Sequence, residues 1–374
     1  MIYLDYAAST PMSDTALHAY TNSAKQFFGN TESAHNAGTD ATHLLENSRR
    51  SIASLINGHP NGVYFTSGGT EANVLALQSM INSFSKGHII SASAEHSSVL
   101  NTISQFKQAG YDVTYLSYNE NGQVSLERIL EAIREDTILV SLAFGNSEIG
   151  TLQPLKKIGK ELAKRHILFH TDAVQAFGKV SLDVAEMHLS SVSLSSHKVY
   201  GPKGVGACYI DPSISWKPVM PGTVHEKGFR AGTVNVPGIF SFAAAAEEAV
   251  HQMNTNQKKL INLRAHLVNR LAHPNIVIEG AQGLPHIIGI RLKGIEGQHV
   301  MLELNRIGIA VSTGSACTIG QQQPSRTLRA MGRTNDEARE LVRISLGRDT
   351  TLQEIEKTVD GFHEILTRCS VTKI

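Results

Sequence analysis

Short apolar runs rich in β-branched residues alternate with longer segments of helical period along most of this chain. That alternation restricts it to a sheet covered by helices. The strand-like runs are Val63–Thr66, His88–Ser91, Val113–Leu116, Ile138–Ser141, Ile167–His170, Ser191–Leu194 and Gly206–Ile210. Segments 70–84, 97–109, 125–135 and 154–165 between them have helical period. The spacing predicts a mostly parallel or mixed sheet, in which ligands bind beyond the carboxyl ends of the strands. Gly58, Gly87 and Gly110 stand where a left-handed residue closes a helix, and Pro154 stands at a first helical position. The stretch 237–272 reads as one long helix. The pattern then restarts, with strands at 286–292, 309–312 and 341–346, a helix at 296–306 and a last helix at 351–368. Thr351 and Glu354 can form a capping box for that helix. A large domain to about residue 250 and a smaller C-terminal one are expected.

Composition removes several classes of function. With 34 Lys+Arg against 33 Asp+Glu the net charge is +1, so no overall basic excess points to nucleic acid or to an anionic membrane. No apolar run approaches the roughly 18 residues that span a bilayer. The opening MIYLDYAASTP lacks the basic and apolar regions of a signal peptide, so a cytoplasmic protein is expected. Three scattered cysteines, Cys208, Cys317 and Cys369, do not make a disulfide framework. No His-Glu-x-x-His motif occurs, and no metal is expected.

Six segments that follow strands carry the polar chemistry. Thr66-Ser-Gly-Gly-Thr-Glu-Ala-Asn73 ends a strand and opens a helix, so the N–H groups near Gly69 and Thr70 suit a phosphate. Read alone, it is equally a turn and a cap. Asp172, in His170-Thr-Asp-Ala-Val-Gln175, is a carboxylate at a buried strand end, a costly place unless it is paired. It either caps the next turn or faces a cationic heterocycle. Lys198, in Ser195-Ser-His-Lys198, closes an interior strand, where a desolvated lysine becomes a nucleophilic amine. A solvated loop lysine is the plain alternative. Cys317 lies in a Gly/Ser/Gln loop, unlike Cys208, which sits in an apolar strand. Cys369 has no motif around it. Arg343 alternates with apolar neighbours on a strand, where its fork suits a carboxylate or a rim ion pair. His96, in Ala94-Glu-His-Ser-Ser98, is one of 17 histidines and carries little weight alone.

Together these residues describe one cofactor. Pyridoxal 5'-phosphate requires an amine, an anion beside its ring nitrogen, a flat group over its face and an anion hole. Lys198, Asp172, His96 and Gly69-Thr70 supply them in turn, and Arg343 suits the carboxylate of an amino acid. At this point the chain resembles the cysteine desulfurases of the NifS/IscS type, class-V aminotransferase-like enzymes. The likeness runs from Leu4-Asp-Tyr-Ala-Ala-Ser-Thr-Pro11 through Ser196-His-Lys198, Arg230-Ala-Gly-Thr233 and Gly314-Ser-Ala-Cys317 to Arg343-Ile-Ser-Leu-Gly347.

The resemblance implies a fold-type I α/β protein with a large cofactor-binding domain over 13–250. It implies a smaller α+β domain from 1–12 and 251–374, and a homodimer. It implies that Lys198 binds the cofactor's aldehyde and moves protons, that Asp172 pairs with the ring nitrogen, that Gln175 bonds the ring hydroxyl and that His96 stacks on the ring. Gly69, Thr70, Ser195, Ser196 and His197 are implied at the phosphate, with Thr233 reaching it from the partner subunit. Arg343 and Asn30 are implied at the substrate, and Cys317 as the sulfur acceptor in a long loop. The implied reaction takes sulfur from L-cysteine, leaving L-alanine and a persulfide that passes to an acceptor protein, such as an iron–sulfur scaffold or a tRNA-thiolation enzyme. Three departures stand out. Ser147 replaces a usual asparagine near the ring, Gly69 replaces a common alanine, and Gly29-Asn-Thr-Glu-Ser33 departs from Gly-Asn-Pro-Ser-Ser. The alternative is a related lyase acting on selenocysteine or cysteine sulfinate, which can proceed without a protein thiol.

Overall fold

The computed structural model describes residues 1–280, 283–314 and 323–371. A short strand, β1 (Ile2–Tyr3), precedes helices α1 (Asp14–Gln26) and α2 (Asn36–Leu55). The central sheet follows: β2 (Val63–Thr66), β3 (His88–Ala92), β4 (Asp112–Leu116), β5 (Thr137–Ser141), β6 (Leu168–Asp172), β7 (Ser191–Ser195) and β8 (Gly206–Ile210). Its order is β2-β8-β7-β6-β5-β3-β4, and only β8 runs against its neighbours. Every residue of β2, β3, β7 and β8 is buried, as strands covered on both faces must be. Helices α3 (Gly69–Ile81), α4 (Ser97–Gln108), α5 (Leu126–Ala132) and α6 (Leu155–Ala163) link the parallel strands. The last shows the logic: Leu155, Ile158, Gly159 and Leu162 face inward at helical spacing, while Lys156, Lys157 and Lys160 face water.

The segment expected as one helix over 237–272 is two, α7 (Val236–His251) and α8 (Met253–Arg270), parted at Gln252. No Gly or Pro marks the break. Tertiary packing makes it, because α7 lies on α1 and α2 whereas α8 lies on the final helix. The rest comprises β9 (Ile276–Glu279), β10 (Ile287–Leu292), α9 (Gly297–Arg306), β11 (Ile309–Ala310), β12 (Ser312–Thr313), α10 (Arg326–Ala330), α11 (Asn335–Arg339), β13 (Leu341–Ser345) and α12 (Leu352–Val371). A second sheet has the antiparallel order β12-β13-β10-β9. The strand expected over 309–312 divides at Val311, so that β11 pairs with β1 and β12 with β13. Leu4 packs with Ile288, Val342 and Phe362 in the core of this second sheet, while Leu284, Ile287 and Leu341 pack into the core of the first.

Helix ends refine the expected caps. Thr351 and Glu354 form the anticipated reciprocal pair. Gly110 closes α4 with φ 96°, and the bonds Gly110 N–H to Lys107 O and Tyr111 N–H to Phe106 O complete a Schellman motif. After α2 the left-handed residue is Asn57 (φ 52°) and not Gly58, whose N–H instead makes the outer bond to Ala53 O. Helix α3 ends at Ile81, so Gly87 leads into β3 rather than closing the helix. Pro154 caps α6 one residue before its first turn.

Candidate active site

Because β2, β3, β5, β6 and β7 point the same way, their carboxyl ends share one edge, and a cavity of about 300 Å³ opens there. Gly69 and Thr70 reach it after β2, His96 after β3, Asn146 and Ser147 after β5, Asp172 and Gln175 from β6, and Ser195, His197 and Lys198 from β7. Ala8, in the turn that follows β1, completes the wall.

Asp172 is 9% exposed, so its carboxylate needs donors. The Val174 N–H donates to Oδ1 at 3.0 Å and Asn73 Nδ2 to Oδ2 at 2.7 Å. Asn73 also donates to Ser98 Oγ at 3.0 Å, and Ser98 Oγ lies 2.7 Å from His96 Nδ1. The Ser98 backbone N–H, which can only donate, reaches the same Nδ1 at 3.2 Å. Nδ1 is therefore an acceptor, and in the neutral ring the proton sits on Nε2. One chain of bonds thus orients both the histidine and the aspartate. Asn73, on the cavity wall, has a buried Oδ1 with no partner among the described residues.

Lys198 closes a short 3-10 turn, and its Nζ donates to the carbonyls of Ala7 at 2.5 Å and Ala8 at 2.7 Å. Gln175 Nε2 donates to Ala7 O as well, at 3.0 Å. The turn is held from behind. Tyr200 takes φ 66°, a strained conformation for an aromatic residue, with its N–H on Thr10 Oγ1 and its hydroxyl accepting the Arg348 N–H. Lys179 donates to the Lys198 carbonyl at 2.6 Å, and burial, with Lys198 and Arg348 nearby, pushes its ammonium down to about 7.

At the other end, Gly68 enters α3 at φ 152°. A Cβ on Gly69 would stand 2.6 Å from Val174 Cγ2, so a larger residue here requires Val174 to give way. The helix start presents unpaired N–H groups. Burial, then Lys198 and Lys203, pushes His197 down to about 4, so it meets an anion as a neutral donor. Beneath the site, Glu95 accepts the Ala143 N–H at 2.9 Å while its Oε2 has no partner among the described residues. Burial drives Glu95 up to about 8, against the pull of that hydrogen bond and with a further push from Asp172.

Nine of the expected residues therefore meet: Gly69, Thr70, His96, Ser147, Asp172, Gln175, Ser195, His197 and Lys198. Four do not line this cavity. Ser196 turns its Oγ into the interior beneath Gly201. Thr233 borders a separate cavity of about 150 Å³ with Ser67 and Arg230. Asn30 is exposed in a turn, with its Oδ1 on the Glu32 N–H. Arg343 lies behind Ser147, donating to its carbonyl at 3.0 Å and pairing with Asp5 at 2.7 Å, while its Nε has no partner among the described residues. Cys317 lies outside the described residues, as does the side chain of Cys369. Cys208 is fully buried, and burial lifts its thiol to about 12. Sequence reasoning passed over Asn73, Asn146 and the Ala7 and Ala8 carbonyls.

The class-V aminotransferase model matches residues 2–358. The chain belongs to the class-V aminotransferase family. Family members are pyridoxal-phosphate enzymes, and pyridoxal phosphate is the cofactor this site is built for. Among individual relatives, the chain is 45% identical to a protein named putative cysteine desulfurase NifS from Bacillus subtilis (strain 168), over 97% of this chain and 94% of that one. It is 37% identical to cysteine desulfurase IscS of Methanosarcina thermophila, over 98% and 92%. A solved NifS-like protein superposes with a TM-score of 0.92 at 32% identity, over 98% and 99% of the two chains. A structure described as SspA in complex with cysteine superposes at 0.81 with 33% identity, over 94% and 100%. Within this class-V frame the mainly parallel sheet is the expected α/β architecture.

Proposed function

We propose that this chain is a pyridoxal-phosphate-dependent cysteine desulfurase. It takes sulfur from L-cysteine, leaves L-alanine, and holds the sulfur as a persulfide on Cys317. The carrying observation is the placement of an amine, a doubly hydrogen-bonded carboxylate and an oriented imidazole around one cavity, in a chain whose relatives bear that name. The unpartnered Asn73 Oδ1 and the cradle at Gly69 suit a bound polar group.

Lys198 would hold the cofactor, Asp172 would face its ring nitrogen, and Gly69, Thr70, Ser195 and His197 would hold its phosphate. Bound pyridoxal phosphate supplies an electron sink for chemistry at the substrate's α and β carbons. Lys198 Nζ, oriented by the Ala7 and Ala8 carbonyls, would move the proton at Cα. Asn73 and Val174 hold the two Asp172 oxygens in place, one donor on each. Ala7 O orients both Lys198 and Gln175. Arg343 would draw the substrate carboxylate toward Ser147, in competition with Asp5. Cys317 follows Gly314 by three residues, so covalent geometry keeps the two Cα atoms within about 11 Å. Gly314 touches Glu148, next to Ser147 on the cavity wall. Attack by the Cys317 thiolate forms an S–S bond as the substrate's carbon–sulfur bond breaks. The electron pair stays on carbon, which takes a proton and becomes the methyl of alanine. Sulfur is oxidised and carbon reduced by two electrons, so no outside oxidant is needed. The persulfide then passes to an acceptor protein, an iron–sulfur scaffold or a tRNA-thiolation enzyme. The enzyme works as a cytoplasmic homodimer, in which Thr233 serves the partner's phosphate site.

The purified protein is expected to be coloured and, with an added thiol to reduce the persulfide, to form alanine from L-cysteine in step with sulfide. Lys198→Ala removes the colour, and Cys317→Ala keeps it but stops sulfur release. Sulfide coupled to alanine from Cys317→Ala overturns the assignment of the thiol.

A further inference from the structure

Glu148 is not among the residues lining the cavity, yet its buried carboxyl meets both flanks of the cysteine-bearing segment. On one side, a Cβ on Gly314 would stand 2.9 Å from Oε2, so the carboxyl lies against the Gly314 main chain. On the other, Ser325 Oγ donates to the same oxygen, and Thr327 bonds the carboxyl through its side chain and its main chain. Asn146, on the cavity wall, doubles the link, with Nδ2 on Thr327 Oγ1 at 3.1 Å. Its Oδ1 accepts the N–H groups of Glu148 at 2.8 Å and Ile149 at 3.0 Å, which fixes the turn that bears the carboxyl. Arg343 adds a third tie. It donates to Ser147 O, and in the sheet register it stands opposite Ser312, two residues before Gly314.

We infer that Glu148 is a positioning residue, which fixes Gly314 and Ser325 against the Asn146–Ser147 wall and so sets the base from which Cys317 meets the substrate. This rests on the reading of Cys317 as sulfur acceptor. A side chain bonded to one flank of the segment and lying against the other gives both flanks a common reference, and small misplacement of reacting groups is costly to rate. The carboxyl acts as a hydrogen-bond acceptor for Ser325, and an amide keeps that one acceptor oxygen.

The test uses the cofactor-loaded protein and L-cysteine in a single turnover. The change in cofactor absorption on mixing reports substrate binding, and mass spectrometry of Cys317 reports sulfur transfer. In Glu148→Ala the absorption change is expected to persist while transfer slows by about 10²-fold. Glu148→Gln is expected to transfer sulfur close to the wild-type rate, and Ser325→Ala to fall between the two. Wild-type transfer in Glu148→Ala overturns the inference. So does a proportional loss of substrate binding and transfer, which marks a merely structural role. Should Glu148→Ala fail to fold, an unchanged rate in Ser325→Ala overturns it. Wild-type protein that forms alanine with no persulfide on Cys317 instead breaks the underlying reading.

Discussion

Two groups of buried charges serve opposite ends. In the second sheet, Arg291 (5% exposed) bonds Glu279 and Glu340 at 2.6 Å each, Arg333 reaches Glu279 at 3.2 Å, and the Gly294 N–H closes on Glu340 at 2.6 Å. At the edge of the first sheet, Asp172 is nearly as buried, but it has one donor per oxygen and a cavity in front of it. The network spends nearly all its capacity on itself, while the cavity group keeps some directed outward. Burial alone therefore does not mark a functional charge. What marks it is where its remaining hydrogen-bonding capacity points.

The comparison breaks most plainly through stability. Glu279→Ala leaves Arg291 and Arg333 poorly compensated, and a loss of about 3–5 kcal/mol is expected in denaturant unfolding. Turnover per folded molecule should hold. A variant that keeps its stability but loses activity would place this network in the site. Asp172→Asn should do the reverse. It keeps the shape and loses the charge, so turnover is expected to fall about 10²- to 10³-fold, near 3–4 kcal/mol of barrier, with little change in melting temperature. Steady-state rates beside thermal melts on both variants settle which group is which.

The strand-end clusters were legible because each is contiguous in sequence, and a parallel sheet must bring strand ends to one edge. Side-chain direction was not. Ser196 and Arg343 lie in the right motifs, but the Ser196 hydroxyl occupies the space left beside Gly201 and Arg343 pairs with Asp5. Asn73 reaches Asp172 across 99 residues of sequence, so its role appears only once α3 and β6 are adjacent. The Ala7 and Ala8 acceptors are backbone carbonyls, which no residue type announces. The exchange of Asn57 for Gly58 has the same origin. Both residues tolerate positive φ, and the last turn of α2 chooses between them.

Glu95 sharpens the contrast through pH. Its folded-state value of about 8 lies above the ordinary 4.5, so between those limits folding takes up a proton. Stability from this group is therefore full below about 4.5 and falls as pH rises, by up to about 1.4 kcal/mol per unit, until about 8. Lys179, lowered from 10.5 to about 7, acts with the opposite sign, its contribution rising with pH between those values. Comparing unfolding midpoints of wild type and Glu95→Gln from pH 5 to 8 isolates the carboxyl. The variant should lack about one proton's worth of decline. Parallel curves would mean that Glu95 is ionised in the folded protein.

The smallest expected effect tests how tightly the cavity's two halves are packed. Alanine at Gly69 would gain up to about 1 kcal/mol in helix preference. It would also press its methyl on Val174 Cγ2, and the Val174 N–H is one of the two donors on Asp172. Overpacking of this kind costs about 1–3 kcal/mol, so Gly69→Ala is expected to sit near neutral or be slightly destabilising. The informative quantity is the coupling. With Val174→Ala the clash disappears and the helix gain remains, so a double-mutant cycle should give an interaction of about 0.5–1 kcal/mol. Additive behaviour in that cycle would mean that α3 shifts as a body to admit the methyl. The phosphate-facing turn and the Asp172 side of the cavity would then be mechanically independent, unlike the closed network of the second sheet.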